Sequence, residues 1–344
     1  MKILCVSGYP AWEKVSQGKM PSHHLFGIHE MVERYEERDD QSIRGILRSD
    51  VFSDGGYVDF YFWKPGKNNI LKQAKELLAY SKNYDVIFDQ LNRCSIYLGL
   101  FKKIGMMKCK LLTIMHHPPY DLQLKISDSD GYVFFNEDYK TLAEKACAKK
   151  SNKYYVNEWF PDVEWYDKIQ DNGNFRTDAF YIDNGKSRRD REILIKAAES
   201  EKIRVDYAGN ENGESGYARP YCVDLKNDIA MVQRLKQYKA VVIPVLKNQK
   251  YKIGPLGITS FLDCIALGLP LIASDNVCFA KEITQKGLGR LYETGNQESL
   301  VNALKIMVED TESYNSHIKN IRLYRINHNI KNYSKSLVEI LKLI

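Results

Sequence analysis

The chain has 344 residues, 27% charged and 44% apolar, a balance that excludes a disordered chain and a length that suits two domains better than one. The net charge of +6 allows attraction to phosphate or to an anionic membrane surface, but no DNA or RNA motif accompanies it and nucleic-acid binding is set aside. Seven cysteines without a CxxC pair argue against a disulfide framework and for reduced thiols in the cytoplasm. The opening MKILCVSGYP is too short and too soon polar to read as a secretory signal. No apolar run of about eighteen residues is present, so no transmembrane helix is expected.

In chain order, strands and helices alternate in two halves. Residues 2–6 form a first apolar strand. Residues 23–38 read as an amphipathic helix with Phe26, Met31 and Tyr35 on its inner side. Strands are predicted at 58–62, 85–88, 110–115 and 132–135, and helices at 69–81, 94–104 and 138–148. Between 149 and 176 the alternation fails, and NEWFPDVEWYDKIQDNGN reads as a connector. A second series follows, with strands at 179–182, 204–207, 240–245 and 289–292 and helices at 190–199, 227–237, 297–308 and most of 311–342. The boundaries expected are 1–165, completed by a C-terminal helix at about 326–344, and 166–325. Ligands of open α/β sheets gather beyond the carboxyl ends of the strands, so a cleft between two such domains is the expected site.

The most informative segment is GITSFLDCIALGLPLIASDN, residues 257–276. Gly257 opens a helix whose apolar residues Ile258, Phe261, Leu262, Ile265 and Ala266 share one face. Gly268 and Pro270 stop that helix, and Leu271, Ile272 and Ala273 enter a buried strand. The unpaired amides at such a helix start, with the hydroxyls of Thr259 and Ser260, suit an anion. Asp263, one turn on, can accept hydrogen bonds from sugar hydroxyls such as those of a ribose. Helix–Gly–x–Pro–strand is also a common structural unit of α/β proteins. LDCIALGLPLIAS, however, resembles the donor-binding signature of retaining GT-B-fold glycosyltransferases, family four. The resemblance implies an α/β fold of two Rossmann-like, doubly wound domains facing a cleft. It also implies transfer of a sugar from a nucleotide-diphosphate donor, UDP- or GDP-linked, without a metal or other cofactor.

A second segment supports it. YIDNGKSRRDREILIKAA, residues 181–198, runs from a strand through an Asn184-Gly185 turn into Lys186, Arg188 and Arg189 and then a helix capped by Asp190. A charge run of this kind is most often a solvated loop. At a strand's carboxyl end it also suits phosphate, which guanidinium groups bind in paired fashion. By the resemblance, Gly185 and Lys186 take the place of the family's Gly-Arg turn and Arg189 that of its lysine, flanking the donor diphosphate.

In the first half, His116-His117 follows the strand at 110–115. The family has a histidine at a similar place that touches the donor sugar. Adjacent residues of an extended segment point opposite ways, and His116 is favoured over His117. Gly18 and His24 match, more loosely, a glycine loop on the acceptor side, where helix capping by Ser22 is an equal reading. The pairs His23-His24 and His116-His117 lack carboxylate or cysteine companions at ligand spacing, so no metal is expected. The family's first glutamate would fall at Pro255, which leaves the sugar and full activity open. Residues 98–112, LGLFKKIGMMKCKLL, interleave lysines with Phe101, Met106 and Met107. They read either as a core-facing helix with solvated lysines or as a patch for an anionic membrane face, as a lipid-linked acceptor would need. The competing readings are a nucleotide-sugar epimerase of the same shape and a non-catalytic sugar-nucleotide-binding partner. The absence of GxGxxG after the first strand argues against a nicotinamide dehydrogenase.

Overall fold

The computed structural model describes residues 1–8, 11–31, 34–36, 43–48, 56–62, 70–117, 124, 128–146, 153–170, 181–185, 188–209, 216–221, 228–247 and 255–344. The chain divides into two compact units, Met1–Phe160 with Ile330–Ile344, and Pro161–Asn329. Each is a Rossmann-like α/β layer structure around a mainly parallel sheet.

In the first unit, eight strands lie in the order β2-β3-β4-β1-β5-β6-β7-β8. They are β1 (Lys2–Ser7), β2 (Arg34–Glu36), β3 (Ile43–Arg48), β4 (Tyr57–Phe62), β5 (Val86–Asp89), β6 (Lys110–Met115), β7 (Gly131–Phe134) and β8 (Tyr154–Val156). The six from β4 to β8 run parallel, while β2 and β3 add an antiparallel edge. From Ile3 to Ser7 strand β1 is buried throughout, as a parallel strand covered on both faces must be. Helices α1 (Ala11–Ser16), α2 (Ile70–Tyr80), α3 (Ser95–Lys103) and α4 (Glu137–Ala146) connect the strands. Leu77 of α2 and Leu98 of α3 share a core cluster with Leu4, Ile87 and Leu111 of the sheet.

The helix expected at 23–38 does not form. The segment makes two short 3₁₀ turns, Ser22–Leu25 and His29–Met31, and then enters β2. The break is at Phe26 and Gly27, whose φ angles of 48° and 78° are left-handed and cannot continue a right-handed helix. The C-terminal helix of the unit packs there, and a Cβ on Gly27 would lie 2.9 Å from Tyr333 Cδ1. Ser334 Oγ donates to the Gly27 carbonyl at 2.8 Å.

The second unit orders its strands β11-β10-β9-β12-β13-β14, which is 3-2-1-4-5-6 counted within the unit, the order of dinucleotide-binding sheets. They are β9 (Tyr181–Asp183), β10 (Val205–Ala208), β11 (Ala218–Tyr221), β12 (Ala240–Ile243), β13 (Leu271–Ser274) and β14 (Gly289–Tyr292). All pairings are parallel. The helices are α5 (Val163–Lys168), α6 (Arg191–Glu201), α7 (Asp228–Leu235), α8 (Ile258–Leu267), α9 (Ala280–Gln285), α10 (Gln297–Glu309) and α11 (Thr311–Asn327), while α12 (Ile330–Leu343) belongs to the first unit. Sequence periodicity did not resolve β2, β3, β8, β11, α1, α5 and α9, all of them three to six residues long, too short for a pattern to emerge. Among the described residues, no helix is long and apolar enough to cross a membrane.

Candidate functional site

Strand order reverses between β9 and β12, and at such a switch point an open α/β sheet receives a ligand beyond its strand ends. Three segments meet there in the second unit: the turn after β9, the residues after β12, and the start of α8. The β9 turn is fastened to the β12 end, since Asp190 N–H donates to the Pro244 carbonyl at 2.6 Å and Leu246 N–H to the Arg188 carbonyl at 3.0 Å.

Asp183 closes β9 with its side chain fully buried. Its Oδ1 accepts from Gly185 N–H at 2.9 Å and from Arg189 Nε at 3.2 Å. Arg189 Nη2 reaches on to Ser260 Oγ at 3.3 Å. The guanidinium therefore joins the β9 turn to the first turn of α8. It passes directly over Gly185, where any Cβ would overlap it. Arg191 lies behind, with Nη2 donating to the Gly185 carbonyl at 2.9 Å and Nε 4.0 Å from Asp183 Oδ2. Burial pushes the Asp183 carboxyl up to about 6, against the pull of both arginines and the Gly185 amide. Lys186 lies outside the described residues, and Arg188 is exposed.

Helix α8 begins at Gly257, whose φ of 87° places it in the left-handed region. A Cβ there would lie 2.5 Å from Ile243 Cγ2 of β12, so both backbone and space require glycine. The helix ends at Gly268, with Leu269 N–H closing on the Cys264 carbonyl at 3.0 Å. The expectation of unpaired amides needs one correction: Ile258 N–H donates to the Pro255 carbonyl at 3.2 Å and is already used. Pro255 thus serves the helix start with its carbonyl. Thr259 is exposed, and Ser260 is buried with its hydroxyl turned to Arg189.

Asp263 faces the same region from the second turn of α8. Oδ1 accepts from Tyr166 Oη at 2.5 Å and Oδ2 from Asn184 Nδ2 at 2.9 Å. Each oxygen keeps a second lone pair for a ligand hydroxyl. Burial raises this carboxyl from 3.8 to about 7, while the two hydrogen bonds lower it. A carboxyl raised on folding stabilises the native state fully below its unfolded value and loses that contribution as pH rises through the folded one. Asp263→Asn is therefore expected to flatten a decline in melting temperature between about pH 4 and pH 7. A melt series at several pH values checks this, and a decline unchanged in the variant contradicts it.

The sequence reading missed Asp183, Asn184 and Tyr166. Tyr166 fell in the connector, although Asp162 gave a helix-start signal there: its Oδ1 accepts from Trp165 N–H at 3.1 Å.

The first unit gathers a different cluster at its own strand ends. His116, just beyond β6, directs Nε2–H at the Gln90 carbonyl after β5. Its ring meets Phe26 and Phe135 edge-on at 5.4 and 5.3 Å. Trp159 stacks on Phe26 at 4.9 Å and donates Nε1–H to the His23 carbonyl at 2.9 Å. His24 joins the cluster edge-on to Trp159 at 6.4 Å. Burial holds His116 below its ordinary value and brings His24 down to about 4, so both rings are neutral at pH 7. The structure thus brings His24 and His116 together. His117 is exposed, and Gly18 stands in an exposed turn after α1 with open space at its α-carbon. Among the described residues, no three His, Cys, Asp or Glu side chains are grouped as metal ligands.

Residues 224–324 match the family model for glycosyl transferases group 1, a stretch that runs from α7 through α10 and into α11. No curated protein matches the chain. Among solved structures, the chain is similar to Anabaena HepE in complex with UDP, at 12% identity and TM-score 0.67, covering 100% of both chains. It is also similar to a glycosyltransferase from Rickettsia africae, at 13% identity and TM-score 0.68, covering 99% of this chain and 98% of that one. Sucrose-phosphate synthase from Thermosynechococcus elongatus is similar at 11% identity and TM-score 0.69, with 100% and 98% covered. At these identities the structures establish the fold. The chain thus has a GT-B-type fold, and residues 224–324 of its second unit are similar to the glycosyl transferases group 1 domain.

Proposed function

We propose that this protein moves a sugar from a nucleoside-diphosphate donor to a glycan, lipid-linked or small-molecule acceptor, with retention at the anomeric carbon and without a metal. The observation that carries this reading is the Arg189 guanidinium bridging the β9 turn to Ser260 at the start of α8. In the reaction, the bond between the anomeric carbon and the diphosphate oxygen breaks and negative charge grows on the leaving group. Fixed cations and helix amides aimed at that charge are the largest contribution expected of the protein. Arg189, Lys186 and the Thr259 and Ser260 amides take this role, with Gly185 and Gly257 allowing close approach of the phosphates. Asp263 accepts from the ribose. Neutral His116, with Nε2–H committed to Gln90, presents Nδ1 as an acceptor to a donor-sugar hydroxyl. Gly18, His24 and His117 are the acceptor-side candidates. UDP, which the Anabaena protein holds, is the first nucleotide to test, with GDP as its competitor.

A cytoplasmic protein at the inner face of a membrane fits a lipid-linked acceptor, and the end of α3 supports this reading. Phe101 and Met107 are buried there, whereas Leu100, Ile104 and Met106 are 38%, 59% and 58% exposed. Lys103, Lys108 and Lys110 are exposed around them. Because the strands run parallel, Lys2 at the start of β1 and Lys82 ahead of β5 stand at the same end of the sheet. A basic rim around protruding apolar residues matches an anionic lipid surface. The protein is expected to sediment with phosphatidylglycerol-containing vesicles and not with phosphatidylcholine alone, and Ile104→Asp with Met106→Asp to remain in solution. Equal partition to both vesicles, or no partition to either, contradicts the membrane reading.

Incubation with UDP- and GDP-sugars, with and without acceptor, tests the catalytic reading. Transfer to the acceptor supports it. Interconversion of the sugar without an acceptor would make the protein an epimerase, and binding without turnover would make it a non-catalytic partner.

A further inference from the structure

Arg189 is held by protein at Asp183, Gly185 and Ser260, and one buried group organises that hold. Asp183 is fully buried, and three cationic or amide donors converge on its carboxylate: Gly185 N–H at 2.9 Å, Arg189 Nε at 3.2 Å and Arg191 Nε at 4.0 Å. The two arginines have unequal exposure. The Arg189 side chain is 5% exposed and that of Arg191 32%. The backbone repeats the arrangement, since Arg191 grips the Gly185 carbonyl and Tyr221 Oη donates to the Asp183 carbonyl at 3.3 Å. A lone Asp that merely neutralised a surface arginine would need none of this convergence.

We infer that Asp183 is a positioning residue of the donor site, fixing the Arg189 guanidinium over Gly185 and against Ser260 so that its charge meets the diphosphate in one preset geometry. This rests on the donor reading above and assigns a role to a residue outside the group 1 match at 224–324. The physical reason is the rotamer freedom of arginine. A guanidinium held in place before binding loses little freedom on meeting phosphate, whereas an untethered one must be ordered by the ligand. Asp183 opposes this benefit by its own negative charge, which weakens the attraction for a diphosphate. The two effects have opposite signs, so one substitution separates them.

Asp183→Asn keeps the shape and the Gly185 hydrogen bond and removes the charge. If positioning dominates, the Kd for UDP rises about ten- to a hundredfold, the share of a charge-assisted hydrogen bond. If charge alone counts, UDP binds more tightly. A second variant guards against loss of folding. Gly185→Ala leaves every charge in place and displaces the guanidinium by overlap with the new methyl group, and it is expected to weaken UDP binding to a similar degree. Calorimetric titration of UDP and GDP into wild type, Asp183→Asn, Gly185→Ala and Arg189→Ala, well below their melting temperatures, decides the matter. Wild-type binding lost in all three variants supports the inference. Binding lost in Arg189→Ala but unchanged or tighter in Asp183→Asn and Gly185→Ala overturns it and leaves the donor reading intact. Absence of wild-type binding to either nucleotide overturns both.

Discussion

Arg189→Ala is expected to lower turnover by about 10²–10³-fold, the usual cost of one preorganised donor to a developing anion. It is also expected to abolish the rise in melting temperature given by UDP or GDP. The effect is large because the guanidinium is nearly dry: its side chain is 5% exposed, and water cannot replace it at the same place. Removing one partner of a buried ion pair ordinarily costs about 3–5 kcal/mol of stability. Here the penalty is moderated in two ways. Arg191 stays 4.0 Å from the abandoned carboxylate, and Asp183, already raised to about 6, takes up a proton near neutral pH. The variant is thus expected to fold with a lower melting temperature and to fail in function. Arg189→Lys keeps the charge without the planar fork and should fall between the two. Activity of Arg189→Ala within threefold of wild type would contradict the role given to it.

Gly257→Ala is expected to cost about 2–5 kcal/mol, read from the midpoint of denaturant unfolding. Placing an L-residue in the left-handed region contributes about 1–2 kcal/mol. Crowding Ile243 Cγ2 at 2.5 Å adds about 1–3 kcal/mol, because a branched side chain on a central strand has nowhere to turn. Gly105→Ala is the control. Its φ of 78° is as left-handed, but nothing lies within 4 Å of the added carbon. The gap between the two variants isolates the crowding, and equal losses would remove the steric argument. In Gly257→Ala the start of α8 must also shift away from β12, so nucleotide binding should weaken with stability.

The segment from Gly257 to Ser274 was legible in the sequence because local chemistry decided it. A helical face, a left-handed glycine at each end and a proline beyond are all properties of neighbouring residues. The segment at 23–38 was misread because a distant element decided it. Its hydrophobic spacing allowed a helix, but α12, some three hundred residues further on, packs at Gly27. The connector hid Tyr166 for the same reason. Its value is set by Asp263, 97 residues away, and a tyrosine in an aromatic, acidic stretch carries no mark of that partner. At 98–112 the residue types gave the basic–apolar mixture but not its orientation. Of the apolar residues singled out there, Met106 protrudes while the fold buries Phe101 and Met107, and Leu100 and Ile104 protrude beside it. The cation run near Arg189 was visible, while the buried acid that organises it was not. Asp183 ends a three-residue strand, and only the sheet fixes which way its side chain turns.

The most direct measurement is a crystal structure of the protein soaked with UDP or GDP. A diphosphate lying within hydrogen-bond reach of Arg189 and of the Thr259 and Ser260 amides, with ribose hydroxyls on Asp263, is the predicted result. A nucleotide bound elsewhere, or no nucleotide beside Arg189 at saturating ligand, would contradict the account.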